Sequence, residues 1–404
     1  MTDPFYNETI PPGVSADQVF DFNLFAPCFG DLDPFESVSR LHGLGLPPIF
    51  WTRNNGGHWI ALAADAIDDV VGDPHSFSSM DPFVPPEHNF GGPPFVPLNV
   101  DPPEHAGYRA IVAPIFAPAR LGDIEAEVRR MAGEWIDQAS SAGTCEFMYD
   151  FAARVPVGIF LKLLDLPAED LDDLLKIGRA FASPPPPDAP RDAVIQTLFD
   201  YLRPIVEDRA ASPRDDVISK VTMAEYQDRR LTIDEMVGMC ATIVSAGIDT
   251  TSAALGFIFE FLARSTEHRR ALVADPSLIS AATEELVRRF GATSLARRAV
   301  ATVVVHGAPI RPEQRILWMT SMYNLNPARF ERPMEVEFTR PRSVHMSFGK
   351  GIHSCLGARL ARIELDVFLK EWLARIPDFE VLDGKTPFIR PGLSMSYDSL
   401  PLVW

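Results

Sequence analysis

Cysteine is scarce in this 404-residue chain. The four cysteines, Cys28, Cys145, Cys240 and Cys355, lie far apart and form no C-x-x-C pair. That spacing argues against a structural zinc site and against a disulfide scaffold. Basic residues are also few: 37 Lys and Arg stand against 55 Asp and Glu, for a formal net charge of −18. Such a balance disfavours nucleic acid and anionic membrane as partners. No run of 18 or more apolar residues occurs, so no membrane span is expected. The N-terminus, Met1-Thr2-Asp3-Pro4-Phe5-Tyr6-Asn7-Glu8, is acidic and lacks the apolar stretch of a secretory signal. A cytoplasmic location is the expectation. There is no internal repeat, no low-complexity tail, and no strand–helix alternation of the kind a doubly wound sheet needs.

What is present is a large apolar fraction, 46%, enough for a sizeable core. Residues 1–50 read as irregular. Phe50-Trp51-Thr52 and His58-Trp59-Ile60-Ala61-Leu62 flank Asn54-Asn55-Gly56-Gly57, which predicts a hairpin. Residues 81–103 are dense in proline and read as a long loop, of a kind that is usually functional or disordered. From 105 to 290 the pattern is mainly helical, broken at Ser183-Pro184-Pro185-Pro186-Pro187. Strand-rich stretches are expected at 299–305 and 314–320, then a helix over 357–374 and short strands to Trp404. The fold class expected is mostly α with small β-sheets, as a single domain over 1–404.

Three segments carry chemistry. In Phe348-Gly349-Lys350-Gly351-Ile352-His353-Ser354-Cys355-Leu356-Gly357 one cysteine precedes a helix-like run. Free N–H groups and the positive end of the helix dipole favour a thiolate there. The glycines let backbone pass close to something flat and bulky. The second segment, Asp234 to about Arg264, is apolar nearly all round, with Thr232 or Asp234 as its cap, and belongs in the middle of a large protein. It contains Ala246-Gly247-Ile248-Asp249-Thr250-Thr251. A buried carboxylate with two hydroxyls is costly unless paired or hydrated. Gly247 weakens the helix by about 1 kcal/mol and permits a kink or widened turn. The competing reading is a threonine bonded back to its own i−4 carbonyl. In the third segment Glu285 and Arg288 stand at i and i+3 on one helix face, which by itself is an ordinary ion pair.

Taken together, the F-x-x-G-x-x-x-C-x-G, A-G-x-D-T and E-x-x-R spacings resemble the haem-ligand loop, oxygen-activation segment and structural ion pair of the cytochrome P450 family. The likeness extends to Trp51–Ala61, Glu284–Phe290, Lys370–Phe379 and Leu400–Trp404, and points to the soluble bacterial branch that includes the camphor-hydroxylating member. It implies haem b (iron protoporphyrin IX) buried between a long distal helix and a proximal cysteine loop. Cys355 would ligate the iron, and thiolate ligation favours O–O cleavage. Thr250 and Asp249 would manage protons, which implies dioxygen plus two electrons rather than peroxide. Arg109, Arg297 (with Arg298 as the adjacent alternative) and His353, helped by His105, would hold the haem propionates, and arginine suits carboxylates. Phe348 and Gly349 would contact the haem from the cysteine loop, and Glu285 and Arg288 would serve folding. The resemblance further implies a monomer supplied with electrons by a [2Fe-2S] ferredoxin and its flavin-dependent reductase.

Substrates of monoterpenoid or norisoprenoid size are implied as well. The camphor-binding member orients its ketone with a tyrosine in the 81–100 loop. Here the only tyrosines before Tyr149 are Tyr6 and Tyr108, and that stretch reads Phe90-Gly91-Gly92-Pro93-Pro94-Phe95-Val96-Pro97-Leu98. Losing a specific hydrogen bond loses orientation as well as affinity. A small apolar terpenoid less compact than camphor, such as an ionone-type ketone or a cyclic monoterpene, is therefore expected. The expected pocket walls are Phe83, Phe95, Thr242, Val244, Ser245, Gly247 and Leu295. Arg109, Lys350, Arg359 and Arg362 are expected to guide an acidic ferredoxin. Two rival readings stand beside this one. A haem sensor or carrier would have no need of Asp249-Thr250. A hydrolase built on Cys355 and His353 would lack an orienting acid.

Overall fold

The computed structural model describes residues 3–27, 33–88, 92–182, 191–341, 344–384 and 387–404. Phe90, Gly91, Cys28 and the proline run 183–187 lie outside the described residues. The fold is mostly helical with small sheets, as the sequence pattern predicts. The predicted hairpin forms between Ile49–Thr52 and His58–Ala61, with Trp51 opposite Trp59 and Asn55, Gly56 and Gly57 at positive φ in the turn. It opens a five-stranded sheet that continues through Arg315–Met319, Ser294–Ala299 and Phe77–Ser78. The strand expected over 299–305 is two strands instead. Ser294–Ala299 ends where Val303–Val305 has not begun, and the second belongs to a separate hairpin with Ala308–Ile310.

Period-two alternation on Ser294–Ala299 decides what reaches the interior. Leu295 and Arg297 share the face that lines a small internal cavity with Trp318 and His353. Arg298, on the other face, is spent on Asp81 and Glu313.

The long helix runs Ile233–Arg264 without interruption. Thr232 is its N-cap in a reciprocal box: Glu235 N–H donates to Thr232 Oγ1 (3.2 Å) and Thr232 N–H donates to Glu235 Oε2 (2.6 Å). Its length and composition would suit a membrane span, but 61% of its most apolar window is buried inside the protein. The helix stays α through Gly247, with no widened turn there. Phe160, on the helix Arg154–Leu164, explains the glycine: a Cβ at position 247 would fall 1.6 Å from its ring. Gly247 is thus a close-approach residue.

Beneath the cavity the helix Ala358–Arg375 packs on Pro118–Ser140 and on the long helix. Phe147 stacks on Phe259 (centroids 4.3 Å apart), and Trp372 meets Phe259 edge-on at 5.2 Å. Phe368 and Phe379 complete the cluster. Each such ring contributes roughly 1.5–3 kcal/mol by burial. The cluster therefore fixes the spacing between the two helices that wall the site.

Candidate active site

One cavity of about 350 Å³ lies between the long helix and the cysteine loop. Ala246, Gly247, Thr250 and Ala254 face it from the helix; Phe348, Gly349, Cys355, Leu356 and Gly357 face it from the loop. Gly349 (φ +66°) and Gly351 (φ +71°) turn the loop, and Cys355 N–H donates to Phe348 O at 2.8 Å. Gly357 caps the following helix, and a side chain there would approach Cys355 Sγ and Phe116 at 3.9 Å. The Cys355 thiol opens onto the cavity while the rest of its surroundings are protein. That burial pushes the thiol up, opposed by the Gly357 backbone, Arg109 and Arg362.

At the cavity's edge four basic side chains converge. His105 and Arg109 share one face of the helix Glu104–Val112, at i and i+4. Tyr108 anchors that helix by donating to Glu235 Oε1 (2.5 Å), which Arg229 also holds. Arg109 donates to Ser354 O at 2.5 Å. The His105 and His353 rings lie 4.2 Å apart. Burial lowers His353 to about 3, and the nearby Arg297, His105 and Arg109 add to that. Arg297 is fully enclosed, is lowered to about 10 by burial, and among the described residues has only Ala296 O as a hydrogen-bond partner. Asp101 is the one carboxylate acting on it. Nε2 of His105, Nε2 of His353 and Nε1 of Trp318 are buried without partners among the described residues. A cluster of buried donors lacking acceptors is what a dianionic group would satisfy. Trp318 escaped the sequence reading, because nothing in its local pattern sets it apart from a core tryptophan.

Thr250 lines the cavity and donates back to Ala246 O at 2.9 Å, the i−4 arrangement. Asp249 does not share that face. One residue on, the helix has turned about 100°, and its carboxylate lies 3.6 Å from Arg390, which also pairs with Asp398 at 2.9 Å. These groups line a separate cavity of about 40 Å³ with Ser252 and Tyr397. Glu364, on the far wall, is buried with Oε1 unpartnered. Burial pushes it up to about 8, and Thr251 offsets part of that.

Of the expected pocket walls, Thr242, Gly247 and Leu295 line the cavity. Phe83, Phe95, Val244 and Ser245 do not. Phe95 is buried against Phe199, edge-on at 5.4 Å, and Phe83 is also buried. Val244 and Ser245 point away from the face set by Thr242, Ala246 and Thr250. Their places are taken by Leu98, Phe160, Ile243 and Ala246. The four basic residues expected to guide a ferredoxin have these surroundings. Arg109 lines the cavity, Lys350 pairs with Asp68 at 2.7 Å, and Arg362 pairs with Glu284 over the Phe348 ring. Arg359 is exposed.

Glu285 and Arg288 form a buried bidentate pair, 2.8 and 2.9 Å. Arg288 also donates to Asn324 O, Pro333 O and Glu335 O; Glu285 accepts from Arg340 and from Glu337 N–H. Burial alone would raise the Glu285 carboxyl, but these donors hold it below its ordinary range.

The family model for cytochrome P450 matches residues 174–276 and 277–391, more than half of the chain. The chain belongs to the cytochrome P450 family. A relative described as probable cytochrome P450 127A1, from Sinorhizobium fredii, is 32% identical over 92% of this chain and 90% of its own. The crystal structure of CYP101J2 matches with a TM-score of 0.90 at 35% identity, covering 98% of this P450 and 99% of that chain. That of cytochrome P450 CYP101C1 matches with a TM-score of 0.90 at 36% identity, over 98% and 100%. This P450 is a monooxygenase, and its cofactor is haem b. The cavity fits that group: small residues above, a lone thiol below, and unpaired donors at the edge where carboxylates would lie.

Proposed function

We propose that this P450 hydroxylates a small apolar terpenoid of monoterpenoid or norisoprenoid size, drawing two electrons from a [2Fe-2S] ferredoxin served by a flavin reductase. The balance is R–H + O₂ + 2e⁻ + 2H⁺ → R–OH + H₂O. The observation that carries the reading is the apolar chamber formed by Pro97, Leu98, Phe160, Ile243, Ala246 and Leu295 directly beside Thr250 and Cys355.

Haem, when bound, supplies dioxygen activation, tuned by a cysteine thiolate. Cys355 is its ligand. Arg109, Arg297, His105, His353 and Trp318 would hold its propionates, and Phe348 and Gly349 would contact it from the cysteine loop. Thr250 surrenders its bond to Ala246 O and presents its hydroxyl to the reacting centre. Asp249 gathers protons on the far side of the helix, where Arg390, itself paired with Asp398, holds it, and passes them toward Thr250. Ferredoxin docks on the face that bears Arg359. The chain works as one domain and as a monomer.

The test is the absorption difference spectrum of the reduced, carbon-monoxide-bound protein, with terpenoid titrations of the ferric form. A thiolate-type band and a high-spin shift with monocyclic terpenoids exceeding that with camphor are expected. A histidine-type band would remove Cys355 as ligand. Camphor alone giving a full shift would remove the substrate assignment. Thr250→Ala should keep the band and divert reducing equivalents to peroxide; fully coupled turnover would end its proposed role.

A further inference from the structure

Most hydroxyls around the main cavity are already committed. Thr242 donates to Gly238 O at 2.8 Å, Thr250 to Ala246 O, Thr320 to Thr293 O at 3.1 Å, and Ser347 to Val287 O at 2.7 Å. Ser354 accepts from Arg109, and Thr251 lies against Glu364. Two lining hydroxyls remain. Ser394 is 6% exposed, and its Oγ is buried with no partner. Thr293 lines the same wall, and only its backbone, not its hydroxyl, takes part in the bonds to Thr320. Thr293 and Ser394 face each other across an isolated antiparallel bridge, which holds the two side chains side by side. An unsatisfied buried hydroxyl costs about 1–3 kcal/mol, so a wall that keeps one needs a reason.

We propose that Ser394 and Thr293 form a polar anchor that hydrogen-bonds a carbonyl or hydroxyl oxygen of the substrate. This assigns the substrate class within the reading above and rests on it: a small terpenoid bearing one oxygen function, gripped from the wall that carries the Thr293–Ser394 bridge. The proline-rich loop, which has no tyrosine in 81–100, is relieved of that task. The other lining hydroxyls are committed to protein partners, so the anchor sets orientation and hence which C–H bond meets the reacting centre. Serine reaches the ligand by rotation about χ1, at no cost in backbone position.

The experiment compares matched pairs that differ only by the carbonyl, such as β-ionone and its deoxygenated hydrocarbon, and a monocyclic terpenoid ketone and its parent alkane. Ferric spin-state titrations are run on the wild type, Ser394→Ala and Ser394→Ala/Thr293→Val. The ketone should lose roughly five- to tenfold in affinity in the variants, the worth of a typical hydrogen bond. The hydrocarbon should hold or gain, and the product from the ketone should scatter over more positions. The carbon-monoxide spectrum checks that each variant retains haem. If ketone and hydrocarbon shift together, the anchor is wrong while the terpenoid reading stands. If the wild type binds neither member of any pair, both fall together, and only the haem-thiolate assignment survives.

Discussion

Glu364 offers the sharpest quantitative handle. It sits 1% exposed on the helix Ala358–Arg375, with one carboxyl oxygen unpartnered. Burial drives it from the ordinary 4.5 up to about 8, so the folded protein carries it protonated at neutral pH while the unfolded chain ionises it. A folded pKa raised above the unfolded one gives stability that is fully present below about 4.5. That stability drains away as pH climbs toward 8. By pH 7 the loss is about 3 kcal/mol, at about 1.4 kcal/mol per pH unit. Glutamine cannot ionise, so Glu364→Gln escapes this drain. Its extra amide donor lacks a partner and costs about 1–2 kcal/mol, but that cost does not vary with pH. The variant should therefore be no more stable than wild type at pH 5 and should gain on it steadily up to pH 8. For 404 residues the shift is roughly 1 °C in Tm per kcal/mol, so the two curves should diverge by about 3–4 °C. Thermal unfolding of the haem-loaded proteins, followed by circular dichroism at half-unit pH steps, reads this directly. Parallel curves across pH 5–8 would refute the argument, because they would mean that Glu364 ionises alike in both states.

Two further substitutions test how the site is built. Glu285→Ala strands Arg288 and removes the acceptor for Arg340 and Glu337 N–H, so it should destabilise the protein by about 3–5 kcal/mol and speed haem loss. A variant that keeps its Tm and its haem would demote the pair to an ordinary helical contact. Gly247→Ala should gain about 1 kcal/mol in helix propensity yet collide with the Phe160 ring, for a net cost of about 1–2 kcal/mol and a weakened spin shift. Phe160→Leu in the same chain should restore binding. If Gly247→Ala binds ligands as the wild type does, the close approach does not shape the pocket.

Local chemistry was legible in the sequence where a single segment contains all its parts. The cysteine loop, the capped long helix, the hairpin at Asn55-Gly56-Gly57 and the Glu285–Arg288 spacing each declare themselves within about ten residues. What was not legible depends on rotation or on distant partners. Asp249 and Thr250 adjoin in sequence, but 100° of helix turn sends one to Arg390 and the other to the cavity. The same phase rule removes Val244 and Ser245 from the pocket and admits Ile243 and Ala246. Gly247 read only as a weak point of the helix because the Phe160 ring that occupies its missing side chain lies 87 residues away in sequence.

That division also says where substrate choice resides in this protein. The parts readable in the sequence, the cysteine loop and the Asp249-Thr250 stretch, each sit within a single loop or helix. The chamber walls Phe160, Leu98, Thr293 and Ser394 come from four separate segments and meet only through the fold. Substitutions in any one of them alter the chamber without disturbing Cys355 or Thr250. A chain of this kind can therefore change substrate while its motifs stay intact, and motif likeness to the camphor-hydroxylating member carries less weight for the ligand than the two spare hydroxyls of its pocket wall.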